Sequence, residues 1–193
     1  MEKEGLAAGL SGAGVRRDDV WLLADEMRLG LHGQVRRVWA PRGVKVRQRR
    51  QIAYRWTYLA LGADAVRGRL YWAWRPNMRQ ETLASVVAAW AAEGVAAVVW
   101  DGSGSHKGRR VRQTGMRLIG LPPYSPELNP PERVFQELRG ALEGRAYDAL
   151  EAKVAAAETI LRELAADPER TRRLVGWSWI RAAHDALPDE ITV

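Results

Sequence analysis

Apolar residues along the chain fall into short continuous runs and longer periodic stretches that predict strands and helices. Three continuous runs, at 20–25 (VWLLAD), 95–101 (VAAVVWD) and 116–122 (MRLIGLP), are typical of buried strands. The stretches 52–63 and 67–74 are rich in aromatic and branched residues and are separated by a short turn, which predicts a β-hairpin. The pattern therefore predicts five strands.

Helical periodicity lies between and after these strands. One amphipathic helix ends at Gly94, and a short basic segment at 105–114 predicts a second helix. Two C-terminal stripes predict further helices: Leu150, Val154, Leu161 and Leu164 mark the first, and Leu174, Trp177, Ile180 and Ala183 mark the second.

The order of these elements predicts an α/β fold with a mixed five-stranded sheet flanked by helices. The hairpin strands should be antiparallel and the later strands parallel to the first one. Residues 1–18 are rich in Gly and Ala and show no clear pattern, so we expect a flexible leader outside the core. We expect the main domain at 19–146, with the helices of 147–193 packed on or beside it.

Asp25 and Asp101 each close a predicted buried strand. If these strands lie side by side in parallel, both carboxylates reach the same edge of the sheet, where ligands bind in open sheets of this kind. Two such carboxylates repel each other unless a cation lies between them. The chain contains no cysteine, so oxygen ligands and Mg²⁺ or Mn²⁺ are the best match.

The composition places the chain in a reducing compartment. It has no cysteine for a disulfide, no basic start typical of a signal peptide, and no apolar run long enough to span a membrane. We therefore expect a cytoplasmic location and no membrane partner.

Positive charge is concentrated in two segments. The formal net charge is +7, yet residues 27–63 alone carry nine Lys or Arg and no acid, and residues 102–126 form a second acid-free window. Such runs are often only solvated surface, but two of them with aromatic neighbours favour nucleic acid as the partner. The candidate DNA-binding residues are Arg36, Arg37, Trp39, Arg42, Lys45, Arg47, Arg49, Arg50, Lys107, Arg109 and Arg110.

Glu132 follows a segment with five prolines between residues 121 and 131. Prolines restrict the backbone, so this segment could carry Glu132 to the edge occupied by Asp25 and Asp101 as a third metal ligand. Asn129 and Glu132 also fit a capping box, in which Glu132 would bond backbone amides instead. Glu127 is the rival third ligand. The residues alone leave these alternatives open.

Four motifs occur in a specific order: LADE at 23–26, RRVWAPRG at 36–43, VVWDGSGSHKG at 98–108 and LPPYSPELNPPERVFQEL at 121–138. Together they resemble the DDE transposases of bacterial insertion sequences in the mariner-like superfamily. The resemblance covers residues 18–145 and implies a ribonuclease-H-like fold. Glu132 lies 31 positions after Asp101, fewer than this family leads us to expect, so we expect a shortened helix between them.

The resemblance implies that Asp25, Asp101 and Glu132 are the catalytic residues and bind two Mg²⁺ or Mn²⁺ ions. It implies metal-dependent DNA cleavage and strand transfer in transposition, in the cytoplasm and nucleoid of a bacterium. His106 is expected to contact the substrate phosphate or a flanking strand, although a lone histidine is more often structural.

The implied partners are transposon ends, target DNA with a TA step, and a second copy of the chain. Helix-turn-helix modules usual in this family have no counterpart in the sequence, so we expect a catalytic domain alone and a separate helix-turn-helix chain. Two alternatives stay open: a ribonuclease-H-like nuclease that cuts without joining, and a non-catalytic remnant that only binds DNA.

Overall fold

The computed structural model describes residues 3–33, 39–47, 51–121 and 129–189, and these form one mixed sheet with helices on both faces. The elements in chain order are α1 (Lys3–Gly12), β1 (Val20–Gly30), β2 (Trp56–Asp64), β3 (Arg69–Arg75), α2 (Gln80–Ala92), β4 (Val95–Trp100), α3 (Arg109–Arg112), β5 (Arg117–Gly120), α4 (Pro131–Leu142), α5 (Leu150–Ala166), α6 (Pro168–Val175) and α7 (Ser178–Asp185).

The strand order is β3-β2-β1-β4-β5. The pairs β1–β2 and β2–β3 are antiparallel, whereas β4 runs parallel to both β1 and β5. The predicted mixed five-stranded sheet flanked by helices is confirmed. The helix between β4 and β5 is only four residues long, as the short spacing from Asp101 to Glu132 led us to expect.

Strand β1 extends further than the sequence pattern predicted. It runs to Gly30 because β2 pairs with it along its second half, whereas its parallel pairing with β4 ends at Leu23 opposite Val99. Asp25 therefore lies inside β1, and the prediction that it closes this strand is wrong. Asp25 and Asp101 each lie two residues beyond that last pair, so they still reach the same edge.

The two faces of the sheet carry separate cores. Leu23 and Met27 of β1 pack on the face that α4 covers with Val134 and Phe135. The β1 residues that alternate with them belong to the core on the other face, on which α2 packs. Side chains alternate between faces along a strand. Consecutive acids on β1 are therefore directed to different faces, which places Asp25 on the α4 side.

The N-terminal segment is helical, so the prediction of a flexible leader over 1–18 is wrong for residues 3–12. Leu6 and Leu10, one turn apart in α1, are buried in the core. Gly9 allows a close approach, since a Cβ there would lie 3.2 Å from Ile119 Cγ2. The small residues that suggested a loose segment instead let α1 pack tightly.

The C-terminal region contains three helices. Helix α5 matches the first predicted stripe, but the second stripe is divided between α6 and α7. The break falls at Gly176, where a Cβ would lie 2.7 Å from the Ala65 carbonyl oxygen. Among the described residues, no helix is both long and apolar enough to cross a bilayer.

Candidate active site

The carboxylate of Asp25 is fixed by a hydrogen bond to each oxygen. Its Oδ1 accepts from the Glu26 backbone amide at 2.7 Å, and its Oδ2 accepts from Asn129 Nδ2 at 2.8 Å. The pKa of Asp25 is raised to about 7: burial is the largest cause, the charges of Glu26, Glu132 and Asp101 also raise it, and the hydrogen bond from the Glu26 amide partly opposes them. A half-buried carboxylate next to three other acids keeps its charge more easily when a cation compensates it.

Glu132 lies in the first turn of α4, directly behind Pro131. Its Oε2 accepts from Arg139 Nη1 at 3.1 Å, and no side chain caps the helix. The capping-box interpretation is therefore wrong. Among the described residues, Asn129 Oδ1 accepts no hydrogen bond from the first turn of α4, its Nδ2 donates to Asp25, and Glu132 Oε2 accepts from Arg139.

Asp101 immediately follows β4 and its side chain is 54% exposed. Its Oδ1 accepts from the Ser103 backbone amide at 2.9 Å and lies 2.6 Å from His106 Nδ1. Both of these contacts reach the same oxygen. The carboxylate is thus oriented by its own loop while part of it stays accessible to solvent.

His106 is buried beneath this loop, with only 5% of the residue exposed. Its Nε2 lies 3.1 Å from Glu26 Oε2, and its ring stacks on Trp100 with centroids 4.0 Å apart. Burial alone lowers the pKa of His106, but the hydrogen bond to Glu26 and the charges of Glu26 and Asp101 outweigh it, so the pKa is raised. The ring is largely buried but still lines a cleft beside Asp101, and the expected contact of His106 with DNA stays a prediction.

Glu26 and Asn129 are functional candidates that sequence reasoning missed. From the sequence, Glu26 has no predicted role beyond its place in the LADE motif, and Asn129 is considered only as a helix cap. Each makes its key contact across a long stretch of sequence, to His106 and Asp25 respectively. The sequence offered one indication for Glu26: side chains alternate between the faces of a strand, so Glu26 is directed to the face opposite Asp25.

The chemistry of these groups fits a divalent cation that prefers oxygen ligands. Asp25, Asp101 and Glu132 are near enough for their charges to interact, and Asn129 Oδ1 is buried without a hydrogen-bond partner. Within the described part of the chain, however, no three His, Asp or Glu side chains are arranged to hold a metal ion. The charges of carboxylates interact over longer distances than the coordination of one metal ion allows, so the two observations agree. In the structure, the Glu132 carboxylate is paired with Arg139.

The predicted DNA-binding residues divide into three groups. Trp39 is fully exposed, and Arg42, Lys45 and Arg47 are exposed in the same segment. Lys107, Arg109 and Arg110 are exposed directly after the Asp101 loop, where Arg110 Nε lies 3.0 Å from Glu81 Oε1. Outside the described residues lie Arg36, Arg37, Arg49, Arg50, Glu127 and the proline segment 122–128.

A cleft of about 260 Å³ opens beside Asp101. Its floor is formed by Trp100 and by residues 118–120 of β5, and Lys107 and Arg112 line it as well. A cleft with apolar walls and two cations next to an accessible carboxylate suits a phosphate-bearing ligand.

Comparison with known proteins gives a consistent result. The model of the family described as DDE superfamily endonuclease matches residues 20–152. The solved Mos1 transposase paired-end complex with the left transposon end superimposes with a TM-score of 0.61 at 18% identity, covering 97% of this chain and 60% of that one. The Mos1 mariner paired-end complex with Mn gives 0.61 at 16% identity, covering 97% and 62%.

The Mos1 strand transfer complex gives a TM-score of 0.59 at 17% identity, covering 98% of this chain and 64% of that one. These superpositions confirm the predicted ribonuclease-H-like fold. The chain spans less than two thirds of the length of these Mos1 chains. No curated protein sequence matches it significantly.

Proposed function

The chain belongs to the DDE superfamily endonucleases, and on that basis we propose that it is a transposase catalytic domain that cleaves DNA and joins the cut end to a target. In finer terms it is a mariner-like transposase of a bacterial insertion sequence. Residues 19–146 form the catalytic domain in this proposal, and the helices of 147–193 support it.

One observation carries the proposal: the surroundings of Asp25. This half-buried carboxylate lies near Asp101 and Glu132, and it accepts a hydrogen bond from Asn129, whose own side-chain oxygen has no partner among the described residues. Placing several acids close together destabilises a fold unless a bound cation compensates their repulsion. We interpret this arrangement as a binding site for a strongly charged cation.

Asp25, Asp101 and Glu132 are the residues that would hold two Mg²⁺ or Mn²⁺ ions. Such ions, when bound, activate the attacking hydroxyl and stabilise the departing oxygen of the phosphodiester. Arg139 compensates the charge of Glu132 in the structure, but their side chains are 36% and 35% exposed. An ion pair this exposed contributes little, so Glu132 can exchange Arg139 for another cation.

The exposed basic residues bind the DNA backbone in this proposal. Lys107 and Arg109 neutralise phosphates next to Asp101, and Arg42, Lys45 and Arg47 do so on the segment that carries Trp39. An exposed indole can stack on an unpaired base. His106 lines the cleft beside Asp101, and its expected contact with DNA stays part of this proposal.

The partners follow from the family resemblance. The substrates are transposon ends and a target DNA with a TA step, a second copy of the chain completes the working assembly, and a separate helix-turn-helix chain recognises the ends. The proposed location is the bacterial cytoplasm, in association with the nucleoid.

Incubation of the chain with a 5′-labelled duplex and a supercoiled plasmid tests the proposal, with Mg²⁺ or Mn²⁺ present. We expect nicked strands together with labelled products longer than the input, as strand transfer requires. Asp25→Asn, Asp101→Asn and Glu132→Gln should each lower product formation at least about 100-fold while the chain still retards the duplex in a gel.

Glu137→Gln is the matched control, because Glu137 is an exposed acid on the same helix as Glu132 and pairs with Arg170. It should cleave and join like the wild type. Nicks without joined products would favour the nuclease alternative, and retardation without any cleavage would favour the DNA-binding remnant. Normal cleavage by Asp101→Asn would show that the proposed site is wrong.

A further inference from the structure

We propose that His106 is a positioning residue that fixes the Asp101 carboxylate for the divalent cation. This inference rests on the proposed function, since it assigns a role toward the same metal site. It concerns a side chain that the chemistry of strand transfer does not itself require.

Asp101 needs such support because of where it lies. It sits just past the end of β4, on a loop rather than within the sheet, and its side chain is half exposed. A carboxylate in that position rotates freely unless it is bonded. His106 Nδ1, 2.6 Å from Oδ1, and the Ser103 amide, 2.9 Å from the same atom, fix its orientation.

His106 is itself held on three sides. Its Nε2 lies between the two Glu26 oxygens at 3.1 and 3.2 Å, its ring stacks on Trp100, and its Nδ1 is 3.3 Å from the Asp101 backbone oxygen. Glu26 belongs to β1 and Trp100 to β4. The imidazole therefore spans the two central strands.

This bridge links the two aspartates. Asp25 is next to Glu26 on β1, and Asp101 is next to Trp100. The contacts from Glu26 through His106 to Asp101 therefore set the position of the Asp101 carboxylate relative to β1, the strand that carries Asp25. Groups that orient a metal ligand typically contribute 10- to 100-fold to metal affinity or activity. A merely structural histidine would stabilise the fold without affecting that affinity.

Titration of the chain with Mn²⁺ in the absence of DNA tests the inference, with free Mn²⁺ followed by electron paramagnetic resonance. His106→Ala should weaken Mn²⁺ binding about 10- to 100-fold. His106→Asn keeps an amide donor near the position of Nδ1 and should recover most of the affinity. His106→Gln has its amide nearer the position of Nε2 and should bind as weakly as His106→Ala.

His184→Ala is the matched control, since His184 is a buried histidine on α7. It should leave Mn²⁺ affinity within about twofold of the wild type, whatever its effect on the melting temperature. Equal affinities for His106→Asn and His106→Gln would overturn the inference. That comparison of two similar polar side chains decides the matter even when His106→Ala fails to fold.

Asp101→Asn separates this inference from the proposed function. If Asp101→Asn binds Mn²⁺ weakly while all the His106 variants bind like the wild type, only the positioning role is overturned. If Asp101→Asn binds Mn²⁺ as well as the wild type, the proposed metal site itself is wrong and the positioning role fails with it.

Discussion

Asp25 carries an electrostatic conflict that either a proton or a bound cation relieves. Its two oxygens already accept hydrogen bonds from Glu26 and Asn129, yet its pKa is raised to about 7 by burial and by neighbouring acids. The unfolded chain releases this proton near pH 3.8 and the folded chain releases it near pH 7. Between these values the folded state binds more protons, so stability falls as the pH rises.

Asp25→Asn should therefore stabilise the metal-free protein at high pH. In EDTA at pH 8 we expect a gain on the order of 2 kcal/mol, a rise in Tm of roughly 4–8 °C, because a charged buried group is removed. At pH 4 the two proteins should melt together. Circular dichroism melts measure both, with Asp148→Asn as an exposed control; an equal change in Tm at the two pH values would contradict the explanation.

At the residue scale, the sequence could predict which acids matter but not what holds them. Asp25 and Asp101 stood out because each follows a continuous apolar run. The Glu26–His106 contact joins residues 80 positions apart, and the Asn129–Asp25 bond joins residues 104 apart. No local pattern records such contacts, which is why Asn129 was interpreted as a helix cap.

At the scale of elements, one acid of α5 accepts hydrogen bonds from two tryptophans of the edge strand β3. The indole nitrogens of Trp72 and Trp74 both lie 2.9 Å from Glu158 Oε2. Burial alone raises the pKa of Glu158, but the hydrogen bonds from Trp74, Trp72 and Arg162 outweigh it, and the pKa is lowered. The stabilisation is thus present above about pH 4.5 and is lost as the pH falls through the lowered pKa.

Glu158→Gln should destabilise the protein by about 1–2 kcal/mol at pH 7, since charge-assisted hydrogen bonds become neutral ones. The difference should shrink as the pH falls through the lowered pKa of Glu158, because the carboxyl itself then becomes protonated. Urea unfolding followed by tryptophan fluorescence at pH 7 and over a series of acidic pH values measures this. Glu163→Gln, an exposed acid on the same helix, should change little; a loss as large as that of Glu158→Gln would refute the double indole bond as its cause.

Strands and long helices could be predicted from the sequence because their apolar patterns are local. The extension of β1 to Gly30 could not, since it depends on pairing with β2. Helix α1 was missed because it is short and made largely of small residues, and its stability comes from packing on the rest of the fold rather than from its own propensity.

At the scale of the whole molecule, the excess positive charge is unevenly placed. Lys107 and Arg109 are exposed beside the acidic site, and Arg173 and Arg181 are exposed on α6 and α7. Net charge could be read from the sequence, but which cations face the site depends on the fold. Only Lys and Arg side chains that neutralise DNA phosphates contribute to the salt dependence of DNA binding.

Lys107→Ala combined with Arg109→Ala should reduce the slope of log affinity against log salt by about 2, because each lost phosphate contact contributes about 0.9 on duplex DNA. Fluorescence anisotropy of a labelled duplex between low and moderate salt measures the slope. Arg173→Ala combined with Arg181→Ala removes the same charge and should leave the slope unchanged. Equal slopes for the two pairs would indicate only general attraction to a basic surface.

The stacking of Trp100 on His106 makes Trp100 an intrinsic fluorescent reporter of the candidate active site. Contact with an imidazole quenches indole emission, and the quenching depends on the separation and charge of the two rings. Events at Asp101 that shift His106 therefore change the emission of Trp100, and subtracting the spectrum of Trp100→Phe isolates this signal. Stopped-flow mixing can follow such events in real time without any attached dye.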